Sequence, residues 1–160
     1  MRILGVDPGL KATGYGVVEV AADGRVTALE VGSIEPKQRE LVQVKLLKIH
    51  KHLTDIVVRQ KPDVIALEKL YAHYKHPLTA SIMGHARGVI CLVCAEQNIE
   101  LAEHRVKRIR KAVVGNGNAT KQQTQRVVAN FLKIDALRLT LDASDALALA
   151  LGHASMARFK

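Results

Sequence analysis

Residues 2–34 read RILGVDPGLKATGYGVVEVAADGRVTALEVGSI, and this stretch decides the architecture. Three runs rich in Val, Ile and Leu, at 2–7, 14–21 and 25–34, are separated by PGLKAT and by a DG pair, which are turn signals. They predict a three-stranded antiparallel meander. The first run ends on Asp7, directly before Pro8 and Gly9. The carboxyl end of a strand is where open α/β sheets bind ligands, and Gly9 and Gly14 let the backbone approach a metal or phosphate closely. Asp-Pro-Gly is equally an ordinary turn signal, so Asp7 takes its meaning from the other acids of the chain.

Further along, Leu41, Val44, Leu47, Leu53, Ile56 and Val57 recur at near-helical spacing, with Lys45, Lys48, Lys51 and Arg59 interleaved as a solvated face. This predicts an amphipathic helix ending before Pro62. VIALE (64–68) has the length of a strand, residues 79–97 read as a second helix, and NIELAE (98–103) as a fifth strand. A basic helical turn, a GNGNAT loop, a helix through Leu132 and a last helix from Asp142 complete the chain. Strands followed by alternating helix and strand make an α/β fold with a mixed sheet.

A length of 160 residues predicts one domain over 1–160 that builds its core without disulfides. No apolar run approaches the roughly 20 residues of a membrane span, and MRILGVDPG reads as strand and turn rather than a secretory leader. A soluble, cytoplasmic chain with no membrane partner is expected. The formal charge of +9, from 24 Lys and Arg against 15 Asp and Glu, favours a polyanion such as nucleic acid. Ribosomal and other structural binders share that balance, so charge selects a partner and no reaction. Cys91 and Cys94 form a lone CxxC inside GVICLVCAE, without a second pair at zinc spacing and away from a helix start, and they read as core packing.

Glu68 closes VIALE, where a charge after four apolar residues is costly unless it stands at the strand's open end or binds a cation. A parallel neighbour of the first strand would bring Glu68 and Asp7 out on one sheet edge. Asp142 and Asp145 are three residues apart on one helix, so they point the same way, and Asp142 is placed to cap it. Asp145 precedes ALALALGHA, an apolar stretch on which an unpaired carboxylate is expensive. Carboxylates are hard ligands suited to Mg2+ or Mn2+, and metal ions offset charge on a transferring phosphate. In a basic chain this cluster predicts a metal-dependent nuclease.

GVDPGLKATGYGV, VIALEKLY, HARGV, GNGNATK and LDASDALALALGH resemble, in order and over nearly the whole chain, successive motifs of the RuvC family of Holliday-junction resolvases. The resemblance implies a ribonuclease H-like fold, a five-stranded mixed sheet of antiparallel meander plus parallel strands, flanked by helices. It implies a homodimeric crossover junction endodeoxyribonuclease acting on four-way junction DNA in recombination and repair. Paired symmetric nicks would leave 5′-phosphate and 3′-hydroxyl ends. The family's acidic quartet falls on Asp7, Glu68, Asp142 and Asp145, expected to hold two Mg2+ ions, with Mn2+ as a substitute. The branch-migration proteins RuvA and RuvB are the partners it implies.

The segment EHRVKRIRKAVVGNGNATK supplies Arg105, Lys107, Arg108, Arg110, Lys111 and Lys121, cations able to track a phosphate backbone with strong salt dependence; a solvated face is the alternative. By the resemblance, Lys121 matches the lysine after the family's glycine loop and joins the catalytic set. The family's other functional lysine falls on Arg110, with Lys107 a turn earlier; arginine keeps the charge but not the point-like geometry, so both remain candidates. Tyr71 occupies the family's place for an aromatic suited to stacking on an unpaired base, worth roughly 1–3 kcal/mol. Tyr74, His73 and His76 share its YAHYKH segment, for which packing of a loop clasp is the alternative. No histidine is read as a metal ligand, and His153 is read as structural. The helix over 79–97, with Met83, Val89, Ile90, Leu92 and Val93, needs burial on two sides; the resemblance implies a second subunit on one of them.

Three rival readings compete with this one. DPGLKATGYG also resembles the phosphate loop of actin-like kinases, but those folds need two related domains and nothing here repeats the motif. A ribonuclease H or related RNA-processing enzyme, and a non-catalytic junction or RNA binder, are separated from a resolvase by substrate and by metal-dependent cleavage.

Overall fold

Alternation along β1 (Arg2–Asp7) sorts the core into two layers: Ile3 packs on one side of the sheet, Leu4 and Val6 on the other. The structure, a computed structural model, describes residues 1–69 and 77–157, with the backbone alone for 77–79. Its five strands form one sheet in the order β3-β2-β1-β4-β5. The meander is present: β2 (Thr13–Val20) pairs antiparallel with β1 and with β3 (Val26–Ile34). β4 (Val64–Glu68) runs parallel to β1, and β5 (Glu100–His104) parallel to β4. Parallel neighbours require crossovers, which α1 (Val42–Gln60) and α2 (Pro77–Glu96) supply on the face of Leu4, Val6, Ile65 and Leu67. The opposite face, with Ile3, Val18, Val64 and Ala66, is covered by α3 (Val106–Val114), α4 (Lys121–Leu132) and α5 (Leu141–Ala157).

Several boundaries differ from the sequence reading for local reasons. Helix α2 starts at Pro77 rather than residue 79, since a proline at the first helical position loses no intrahelical bond. The expected basic turn is a nine-residue helix, α3, ended by Gly115 at φ +83°. The cap assigned to Asp142 belongs to Thr140, whose hydroxyl accepts from the Ala143 amide at 3.2 Å; Asp142 lies inside the first turn of α5. The Ser33 and Thr140 hydroxyls, 3.1 Å apart, tie that helix start to the end of β3. On α1 the buried stripe is Ile49, Leu53, Ile56 and Val57, and a heptad step back from Leu53 meets half-buried Leu46. Leu41, Val44 and Leu47, expected on the apolar face, are exposed.

Helix α5 is the element on which the site depends. It lies so close to the sheet that a Cβ on Gly5 would overlap the carbonyl oxygen of Ala146, and one on Gly14 that of Asp142. Only glycine permits this approach of backbone to backbone.

Candidate active site

Asp7 continues the alternation of Ile3 and Gly5, and Glu68 that of Val64 and Ala66, so both carboxylates fall on the face covered by α5. The register pairs Val6 with Leu67, so Asp7 and Glu68 leave adjacent parallel strands at one level. Gly14 is the register partner of Asp7, and it is against Gly14 that the backbone of Asp142 sits. Asp145, one helical turn further on, enters the same space.

Asp7, Glu68 and Asp145 line one cleft, and Lys107, Arg110 and Lys121 line it with them. Burial, first of all, and then the charge of Asp145 push the Asp7 carboxyl up to about 7; Lys121 opposes them, and Glu68 and Asp142 add to the rise. Glu68 is raised for the same leading reasons, burial and Asp145, against the cations Lys121, Arg110 and Arg87. Asp142 is half-buried and outside the cleft lining, and it acts on Asp7 through its charge.

Lys121 opens α4 behind a capping box in which Thr120 and Gln123 bond reciprocally. A cation at a helix N-terminus opposes the helix dipole, and a carboxylate compensates: Lys121 Nζ lies 2.5 Å from Asp145 Oδ2. Burial pulls the Lys121 ammonium down, but the bond to Asp145 and the charges of Asp145, Asp7 and Asp142 outweigh it and hold it above its ordinary value.

The cluster is not a ready-made cage. Among the described residues no three His, Cys, Asp or Glu side chains form a group set to hold a metal ion. The Asp145 carboxylate is instead engaged by the Lys121 ammonium. The donor set nevertheless fits a hard divalent cation, since every candidate ligand is a carboxylate oxygen. The residues that would hold such an ion are Asp7, Glu68, Asp142 and Asp145.

The basic residues divide by helical phase. Lys107 and Arg110, three apart on α3, both face the cleft, whereas Arg105, Arg108 and Lys111 are exposed outside it. Arg110 reaches Glu68 electrostatically. Tyr71, Tyr74, His73 and His76 lie outside the described residues. Cys94 is buried beside half-buried Cys91, and burial with its neighbour's charge pushes its thiol up to about 11, consistent with packing and no chemistry.

Two groups received no role in the sequence reading. His104, at the end of β5, places Nε2 2.9 Å from Nδ1 of His153, and burial, then the charges of His153 and Arg108, push it down to about 4. Arg87 of α2 donates from Nη1 to the carbonyl oxygen of Glu68 at 2.6 Å and pairs through Nη2 with Glu103. The HARGV stretch marks Arg87 in the sequence, but its partners lie on two strands that only the fold brings under it.

A family model described as crossover junction endodeoxyribonuclease RuvC matches residues 3–153. A Rhodopirellula baltica protein, named crossover junction endodeoxyribonuclease RuvC, is 38% identical over 152 residues, covering 94% of this chain and 85% of that protein. The structure of Thermus thermophilus RuvC matches with a TM-score of 0.87 at 27% identity, covering 99% of this chain and 96% of that one. A second T. thermophilus RuvC structure, in complex with a Holliday junction substrate, shares the fold with a TM-score of 0.88 at 23% identity and the same coverage.

Proposed function

This chain belongs to the RuvC family of crossover junction endodeoxyribonucleases, and from that membership we propose that it resolves four-way DNA junctions by metal-dependent hydrolysis of phosphodiester bonds. The observation that carries this reading is the single cleft in which Asp7, Glu68 and Asp145 meet Lys107, Arg110 and Lys121. Acids to hold cations and cations to receive phosphates are the two things such a reaction needs in one place.

Asp7, Glu68, Asp142 and Asp145 would hold two Mg2+ ions, for which Mn2+ substitutes. Bound there, the ions supply Lewis-acid stabilisation of the attacking and departing oxygens of an in-line displacement. The rest is done by the chain itself. Lys121, in the same cleft, would offset the negative charge of the scissile phosphate, and Lys107 and Arg110 would seat the flanking backbone from α3. Tyr71 stacks on an unpaired base at the crossover. Hydrolysis by water releases 5′-phosphate and 3′-hydroxyl ends without a covalent intermediate.

Paired, symmetric nicks require two copies, and the outer face of α2 supports that role. Leu92 is 50% exposed on it, and among the described residues a Cβ added to Gly84 or Gly88, in the same i, i+4 row, would meet nothing. Glycines inside a helix cost about 1 kcal/mol each, and no contact among the described residues requires these two; close approach of a second α2 would. The enzyme acts as a homodimer of a single nuclease domain over 1–160, in the cytoplasm, in recombination and repair, with RuvA and RuvB as partners. No described helix is long and apolar enough to cross a membrane.

The test is incubation with a labelled synthetic four-way junction, with and without Mg2+, beside linear duplex. Wild type is expected to nick the junction symmetrically in Mg2+ alone, and Asp7→Asn to bind it without cutting. Undiminished cleavage by Asp7→Asn would refute the assignment.

A further inference from the structure

Asp7 and Glu68 each end a strand that is paired on one side only at that position, Asp7 with Gly14 and Glu68 with His104. The parallel register of β1 and β4 ends at Val6 and Leu67, and the residue after Asp7 is Pro8, which has no amide hydrogen to carry a ladder further. On its other side Glu68 pairs with His104, at the last position of both β4 and β5, and one step beyond it the Lys69 amide donates to the His104 carbonyl oxygen at 2.8 Å. A carboxylate at a strand end is placed by the backbone that carries it, and a displacement of about 1 Å at a reacting site costs on the order of 100-fold in rate.

The guanidinium of Arg87 sits at this end. From α2 it donates to the Glu68 carbonyl oxygen at 2.6 Å and pairs with the Glu103 carboxylate on β5. Its side chain is only 14% exposed. One planar fork thus grips the last residue of β4 and the adjacent strand together, which a point-like ammonium cannot do. Its neighbours on α2, Ala86 and Ile90, are fully buried in the apolar layer. A guanidinium in that setting carries a desolvation cost that these contacts offset.

We propose that Arg87 is a positioning residue that locks the end of β4 so that the Glu68 carboxylate is presented to a divalent cation. It touches neither substrate nor ion, and it links the placement of α2 to the geometry of the cleft. The proposal rests on the reading of Glu68 as an ion ligand.

The experiment measures Mn2+ binding by electron paramagnetic resonance on folded protein, together with junction cleavage kinetics, for Arg87→Gln, Arg87→Lys, Glu103→Ala and Glu68→Gln. Loss of an outer contact of this kind weakens metal binding about 10- to 100-fold. Arg87→Gln is expected to weaken Mn2+ binding by that factor and to lower kcat with KM for the junction unchanged. Glu103→Ala follows in the same direction to a smaller extent, and Arg87→Lys falls between Gln and wild type. Wild-type Mn2+ affinity in folded Arg87→Gln, or full restoration by Arg87→Lys, overturns the proposal; a purely structural arginine would lower the melting temperature and leave both readouts alone. Should Arg87→Gln fail to fold, Glu103→Ala decides by the same criterion. If Glu68→Gln itself binds Mn2+ normally, the ligand assignment falls; if it binds weakly while Arg87→Gln and Glu103→Ala do not, only the role of Arg87 falls.

Discussion

Replacing Asp7 by asparagine is expected to stabilise the metal-free protein at pH 8 and to leave its stability at pH 3.5 unchanged. The Asp7 carboxyl moves from 3.8 to about 7 on folding, chiefly through burial and the charge of Asp145. A raised carboxyl means that the folded state holds its proton more tightly than the unfolded chain. The associated stability is fully present below pH 3.8 and is lost as pH rises through about 7. At roughly 1.4 kcal/mol per pH unit, the loss amounts to about 4 kcal/mol as a ceiling. Asparagine carries no proton to lose and escapes it. For a domain of this size each kcal/mol moves the melting temperature by about 2–4 °C, so the gap at pH 8 approaches 10 °C. The assay is thermal unfolding in chelator at both pH values, repeated with Mn2+. A cation bound to the native carboxylates adds about 2.7 kcal/mol at 100 times its dissociation constant, so wild type gains in Mn2+ while Asp7→Asn gains little. Equal melting temperatures at pH 8, or a gap that persists at pH 3.5, would show that Asp7 is not a strained, charge-starved acid.

Lys121→Ala removes the ammonium that opposes the rise of Asp7, so single-turnover cleavage should fall more than junction affinity, with the pH profile displaced upward; a loss of binding alone would make Lys121 a docking residue. Gly5→Ala drives a methyl group into the carbonyl of Ala146, and overpacking of this type costs about 1–3 kcal/mol or more. Urea unfolding measures it, and a neutral result would mean that α5 can withdraw from β1 freely.

The sheet was legible because its strands obey a period of two and are separated by Pro, Gly and Asp turns. The same alternation places Asp7 and Glu68 on one face once β1 and β4 are known to be parallel. Phase and proximity were not legible. Leu41, Val44 and Leu47 match a helical apolar spacing yet sit outside the stripe that Ile49, Leu53 and Ile56 bury, because a short repeat does not say which of two overlapping stripes meets the sheet. Thr140 rather than Asp142 caps α5, since both residue types suit the position and the Ser33 hydroxyl on a distant strand favours one. The division of the α3 cations, Lys107 and Arg110 into the cleft and Arg108 and Lys111 away from it, follows from the burial of Ile109 against Gly152, a contact across the fold. Arg87 belongs with these, because a cation's purpose is written in its partners.

The carboxylates Asp142 and Asp145 come with α5, the last of the described elements, whereas Asp7 comes with β1, the first. A growing polypeptide with all five strands already outside the exit tunnel still has half of its acidic cluster unsynthesised or undocked. The glycine-lined seat on β1 and β2 therefore couples the two halves of the chain: the four acids share one region only once α5 has closed the core.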